Sequence, residues 1–280
     1  MSNVTTLYYC RTLPPSEFVN RAITTIQLLY GVPSLALMVH FLIFLRKYPN
    51  SFYRLVQLNL LTNIFCYLNS WITLRLRYYS IRPCCLFIVV TWIPDLLTLS
   101  YELSYFFLHM QFFSTISLSI HRITSILYHV HYDKLWSKYY IHISFLFIVY
   151  GLIPSWAIPG TKFTFHVENN TIFQVFYTER IQNAMLISSM LTVVYFFLLL
   201  TVGLSTACLV TRTMQVNNIA DRGIGKTLTR IALTYVAVSS GILYWSVMDA
   251  INRIFEFLPQ FLEVYGIDVL VFSSDAVGSV

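Results

Sequence analysis

Runs of apolar residues close to a membrane's thickness recur along this chain, each closed by a cluster of charge. A helix needs about 20 apolar residues to cross the hydrocarbon core of a bilayer. Only 11% of the residues are charged and 57% are hydrophobic, whereas a soluble domain averages about 25% charged. A chain with so little charge cannot cover a globule in water. The reading is an all-α membrane protein, a seven-transmembrane helix bundle with the N-terminus outside and a short seventh span.

The spans follow from the runs and their breakers. Span one covers 22–45, is kinked at Pro33 and ends on Arg46 and Lys47. Span two covers 52–74 and span three 101–127. Between them, Pro94-Asp95 interrupts the apolar run 84–93, which is too short to span and reads as an outer loop with a membrane-dipping element. Span four covers 141–158, span five 185–210 and span six 231–251. Span seven lies within 260–280, its apolar core broken by Glu263 and Asp268. Alternating patches within 161–183 predict a short hairpin. As domains, 1–21 is an extracellular segment, 22–275 the seven-helix domain and 276–280 a short tail. The first twenty residues lack the features of a cleaved signal peptide, so span one serves as its own signal.

Two observations give the orientation. The glycosylation sequons at Asn3 and Asn169 fall on one side under alternating spans, which is the outer side. Arg46, Lys47 and Arg54 follow span one, against Arg11 and Arg21 before it, in keeping with basic residues on the cytoplasmic side. The net charge of +6 therefore reads as topology, with no nucleic acid as partner.

Within span two, Asn59, Asn63, Cys66 and Ser70 lie on one helix face. Such a stripe is either a polar or ion site coupled to activation or interhelical glue worth about 0.6 kcal/mol per hydrogen bond. Asn69 falls off the stripe, within reach of headgroup water. Glu102, His109 and Gln111 on span three, with Tyr244, Trp245 and Asp249 on span six, are candidates to line a ligand cavity. The alternative places Glu102 and Asp249 at headgroup level in water. Gly223-Ile224-Gly225-Lys226-Thr227 ends like a phosphate loop, but the first glycine position is Ala220 and no strand precedes it. His129-x-His131 is too sparse for a metal. No nucleophile–base arrangement appears, so the chain reads as no enzyme, with no cofactor and no metal.

The stretches NSFYRLVQLNLLTNIFCYLNSWITLRLR (50–77) and SLSIHRITSILYHVHYDKLWSKYY (117–140) resemble the nematode serpentine receptor class gamma family. The resemblance covers roughly 20–252, the tail departing from it. It implies a multi-pass plasma-membrane chemoreceptor of sensory cells. A small-molecule or peptide ligand would bind outside, and a heterotrimeric G protein would be activated inside. Arg122 stands where rhodopsin-like receptors keep the arginine of their Asp/Glu-Arg-Tyr motif. Its neighbours here are His121 and Ile123, so the acidic lock partner is missing. Arg122 is then either the switch itself or an arginine snorkelling to the interface. With Lys134, Lys138, Arg222, Lys226 and Arg230 it marks the candidate coupling face. The usual second cysteine is absent from 161–183, which leaves Cys10 paired with Cys84 or Cys85, or free thiols. Competing readings are a small-solute transporter or channel, and a truncated, non-signalling remnant.

Overall fold

The computed structural model describes residues 17–72, 93–128, 131–155, 164–168, 171–175 and 179–216, together with parts of 240–251. Five long helices and one hairpin make up this part: α1 (Glu17–Leu45), α2 (Ser51–Ser70), α3 (Pro94–Leu127), α4 (Tyr132–Ser155), β1 (Thr164–Glu168), β2 (Thr171–Val175) and α5 (Glu179–Val216). Three of them, through Thr25–Leu45, Thr98–Ser125 and Leu186–Thr206, are long and apolar enough to cross a membrane. The polar stripe lowers the apolar content of α2.

Helix α3 is central, packing against α2, α4 and α5, while α2 also touches α1 and α4. The buried set is inverted relative to a soluble protein. Among the described residues, 18 buried side chains are polar and 14 hydrophobic. Large aliphatic and aromatic residues such as Leu29 and Ile43 on α1, Phe145 and Ile153 on α4, and Ile187 and Phe197 on α5 face outward. Lipid covers such a surface without cost, and the polar groups collect where other helices can bond them.

Several boundaries differ from the sequence reading, each for a local reason. Asn50, in extended conformation, caps α2 by accepting the Phe52 amide at 3.0 Å, so the helix restarts immediately after Pro49. Pro94 opens α3 rather than interrupting a loop. At a first helical position its missing N–H breaks no bond, and Asp95 in the first turn suits the positive end of the helix dipole. The third helix therefore begins seven residues before the expected Tyr101.

Helix α4 begins at Tyr132, so 132–140, expected as loop, is helical. Its one-turn spacing puts Tyr132 and Trp136 toward α3 while Lys134 and Lys138 stay exposed. The turn before it is tight: the Tyr128 carbonyl accepts from the amides of both His131 and Tyr132 at 2.9 Å. Pro33 lies inside α1, which runs unbroken from Glu17 to Leu45. Helix α5 overruns the expected 185–210 at both ends. At about 1.5 Å per residue its 38 residues run to about 57 Å, nearly twice the roughly 30 Å hydrocarbon thickness. The expected hairpin is present, β1 pairing antiparallel with β2 from Thr164↔Val175 to Glu168↔Thr171.

Two glycines let helices approach. A Cβ on Gly31 of α1 would come within 2.5 Å of the Tyr67 hydroxyl. A Cβ on Gly151 of α4 would lie 2.9 Å from the Phe106 ring and 3.2 Å from its carbonyl oxygen. The backbone atom cannot swing away, so a side chain here forces α3 and α4 apart. Gly151→Leu is expected to destabilise the detergent-solubilised protein by about 1–3 kcal/mol or more, with Gly151→Ala milder because it gains about 1 kcal/mol of helix propensity. Thermal unfolding followed by circular dichroism checks this; a Leu variant melting with the parent contradicts the close approach.

Candidate functional site

Four polar clusters mark the length of α3. At its N-terminal end, Asn69 of α2 uses its whole amide. Its Nδ2 donates to the Ser100 carbonyl and to Ser104 Oγ, both at 2.8 Å, and its Oδ1 accepts from Ser100 Oγ at 2.7 Å. Asn69 is buried, not in headgroup water as expected. The last turn of α2 lies against the first turns of α3, so the buried arc there is wider than the stripe. Further along, Ser114 Oγ donates to Asn59 Oδ1 at 2.7 Å. Of the other stripe residues, Asn63 is buried with its Oδ1 unpaired among the described residues, and Ser70 donates to its own helix at the Tyr67 carbonyl.

His109 is fully buried between α3 and α5. Its Nδ1 lies 3.1 Å from the Tyr195 hydroxyl and its Nε2 3.3 Å from Ser188 Oγ. A neutral imidazole donates at one nitrogen and accepts at the other, so both contacts are satisfied together. The Tyr195 hydroxyl also bonds that of Tyr150 on α4. Phe112 stacks on Tyr195 at 5.3 Å between ring centroids. One hydrogen-bonded chain thus joins α4, α5 and α3.

At the C-terminal end of α3, His121 is also buried. Its ring sits 4.4 Å from Trp136, 5.0 Å from Tyr132 and 5.1 Å from Phe52, centroid to centroid. Its Nε2 is 3.3 Å from the Tyr132 hydroxyl. Trp136 donates from Nε1 to Thr124 Oγ1 at 2.7 Å, and that hydroxyl donates to the His121 carbonyl at 2.9 Å. Next along the helix, the Arg122 guanidinium carbon lies 5.9 Å from the centre of the Phe52 ring. Twelve residues separate the two histidines, about 18 Å along the axis.

Against this whole chain, the model of the Srg family chemoreceptors matches residues 24–278. The chain belongs to the Srg chemoreceptor family. The match extends through the tail, which the sequence reading placed outside the resemblance. Serpentine receptor class gamma-47 of Caenorhabditis elegans is 30% identical over 240 residues, covering 85% of this chain and 78% of the relative. Serpentine receptor class gamma-53 of the same organism is 23% identical over 262 residues, covering 90% and 85%. This Srg chain is accordingly a multi-pass, seven-helix membrane protein.

Among the residues singled out from the Srg sequence, the structure brings His109 to α5 and Asn59 to α3. Gln111 is buried and Glu102 half-buried on α3, while Tyr244 is exposed. Lys134 and Lys138 are exposed on α4, with the Lys138 ammonium 5.5 Å from the centre of the Tyr139 ring. Asn3, Cys10, Cys84, Cys85, Asn169, Arg222, Lys226, Arg230, Trp245 and Asp249 lie outside the described residues. Sequence reasoning misplaced Asn69 and passed over Ser100, Ser188, Tyr195 and the ring cluster at His121. Lone hydroxyl and imidazole groups inside apolar runs are the signal for these residues.

Asn69→Ala and Ser100→Ala are expected to be non-additive, with a coupling energy of about 0.6 kcal/mol, the average for a membrane hydrogen bond, since the Ser100 Oγ to Asn69 Oδ1 bond is the one that both substitutions remove. Unfolding of the single and double variants in mixed micelles measures it. Additive losses would mean the bridge contributes nothing. His109→Leu and Tyr195→Phe are expected to couple in the same way.

Proposed function

We propose that this Srg chain is a chemosensory receptor of the plasma membrane in sensory cells, with its N-terminus outside and residues 22–275 forming the receptor domain. It is a receptor and not an enzyme: a small molecule or peptide binds near the outer half of α3, and a heterotrimeric G protein is activated at the inner end. The observation that carries this reading is the row of buried side chains on α3 from Ser100 to His121, with His109 bonded across to α5 and His121 packed against α2 and α4. A shift of α3 or α5 at one end then has packed side chains to act on at the other.

Glu102, His109 and Gln111 on α3, with Tyr244, Trp245 and Asp249, are the residues we assign to the ligand side. His109 would act there through its bond to Tyr195, because its own ring is covered. A ligand bound more tightly by one arrangement of α3, α4 and α5 shifts the population toward it by that difference in affinity and no more. Arg122, Lys134, Lys138, Arg222, Lys226 and Arg230 form the coupling face. Lys134 and Lys138 point away from α3, which leaves their charges available to an acidic partner surface.

Reversing Arg222, Lys226 and Arg230 to Glu is expected to lower the small-molecule-evoked calcium or cyclic-nucleotide response by roughly tenfold or more, since like-charge contacts across an interface cost several kcal/mol. Surface expression, measured with an N-terminal epitope on intact cells, should hold. An unchanged response at normal surface level would remove this face from the mechanism.

A further inference from the structure

Arg122 and His121 are adjacent on α3, yet one helix step of about 100° gives them opposite environments. His121 points into the ring cluster, and Arg122 stays at the half-buried rim. Phe52, in the first turn of α2, touches both. Its ring is 5.1 Å from the His121 ring and 5.9 Å from the Arg122 guanidinium carbon. We propose that His121 is a positioning residue for Arg122, acting through the shared ring of Phe52.

The contacts order themselves as a chain of supports. Trp136 and Tyr132 arrive from the first two turns of α4 and hold the imidazole, one by ring contact and the other by ring contact and the 3.3 Å polar contact. Trp136 is itself fixed by its bond to Thr124. The imidazole packs against Phe52, and Phe52 presents a π-face to the guanidinium, which a cation favours. Asn50 caps the helix that carries Phe52 and accepts the Phe52 amide, so the ring's backbone is fixed as well. If α4 separates from α3, the imidazole loses Trp136 and Tyr132 as ring neighbours, and the surface under Arg122 loosens. The arginine is thereby tied to the packing of α2 and α4 without needing a carboxylate beside it. The inference rests on the coupling role proposed above for Arg122, but its geometry can be tested independently.

The full chain in lipid nanodiscs, treated with phenylglyoxal and analysed by mass spectrometry, reports the reactivity of the Arg122 guanidinium. Phe52→Leu, which keeps most of the volume and removes the ring, and His121→Ala are each expected to raise the modification rate at Arg122 roughly two- to fivefold. That is the range set by losing a cation–π contact at a part-exposed site. Phe52→Tyr keeps the ring and should keep the parent rate. Parent-like rates in Phe52→Leu and His121→Ala, or a Phe52→Tyr rate equal to that of Phe52→Leu, would overturn the proposal. Thermal unfolding shows which variants are folded, and His121→Leu, of similar volume and with the same expected rise, carries the test if His121→Ala is not. Ligand-free nucleotide exchange on a panel of purified G-protein α-subunits separates the two levels. Faster modification with a higher basal exchange supports both readings. Faster modification with exchange unchanged, even in Arg122→Glu, keeps the positioning role and removes the coupling role.

Discussion

In hydrocarbon, a polar side chain finds its partner inside the protein or finds none, and α3 carries such side chains from Ser100 to His121. The described fold is arranged around meeting that demand. Asn69 and Asn59 arrive from α2, Tyr195 and Ser188 from α5, and Tyr132 and Trp136 from α4. Each places at least one bond or ring contact on α3, and the outward faces of α1, α4 and α5 are left to aliphatic and aromatic residues. Had these partners been absent, each buried amide or hydroxyl would have cost several kcal/mol in lipid. Position and partner are thus fixed together.

That arrangement gives α3 two unlike regions, one at its middle and one near its C-terminal end. Around His109 the contacts are hydrogen bonds strung through hydroxyls to α4 and α5, which are directional and change partner when a helix turns slightly. Around His121 they are mostly ring faces and edges, which tolerate sliding but fail when helices part. The family to which the chain belongs is one of chemoreceptors.

The membrane class and the helical architecture were legible in the sequence because apolar length and clustered charge report them directly. So was the hairpin, from alternation on either side of Asn169-Asn170. Boundaries were less so. Pro94 reads as a breaker in a one-dimensional scan and serves as a first helical residue in the fold. Residues 132–140 read as a loop because Lys134 and Lys138 dominate their composition, although Tyr132 and Trp136 lie one turn apart and mark a packed face. Among the site residues, Asn59 was singled out because it repeats on one face. Asn69 was misplaced because a stripe on a single helix carries no information about which helices surround its end. Tyr195 and Ser188 could not be paired with His109 from sequence, since the pairing depends on the register of α5 against α3.

Oxygen accessibility of spin labels, introduced singly into the full chain in nanodiscs, tests the central claim most directly, since oxygen concentrates in lipid and not in a protein interior. Labels at Met110, Ser114 and Ser117 on α3 should report low collision rates with both oxygen and a water-soluble nickel complex. Labels at Leu29, Ile43 and Phe145 should report high oxygen rates. Oxygen rates on α3 equal to those at Leu29 and Phe145 would place α3 against lipid and contradict a bundle built around its polar side chains.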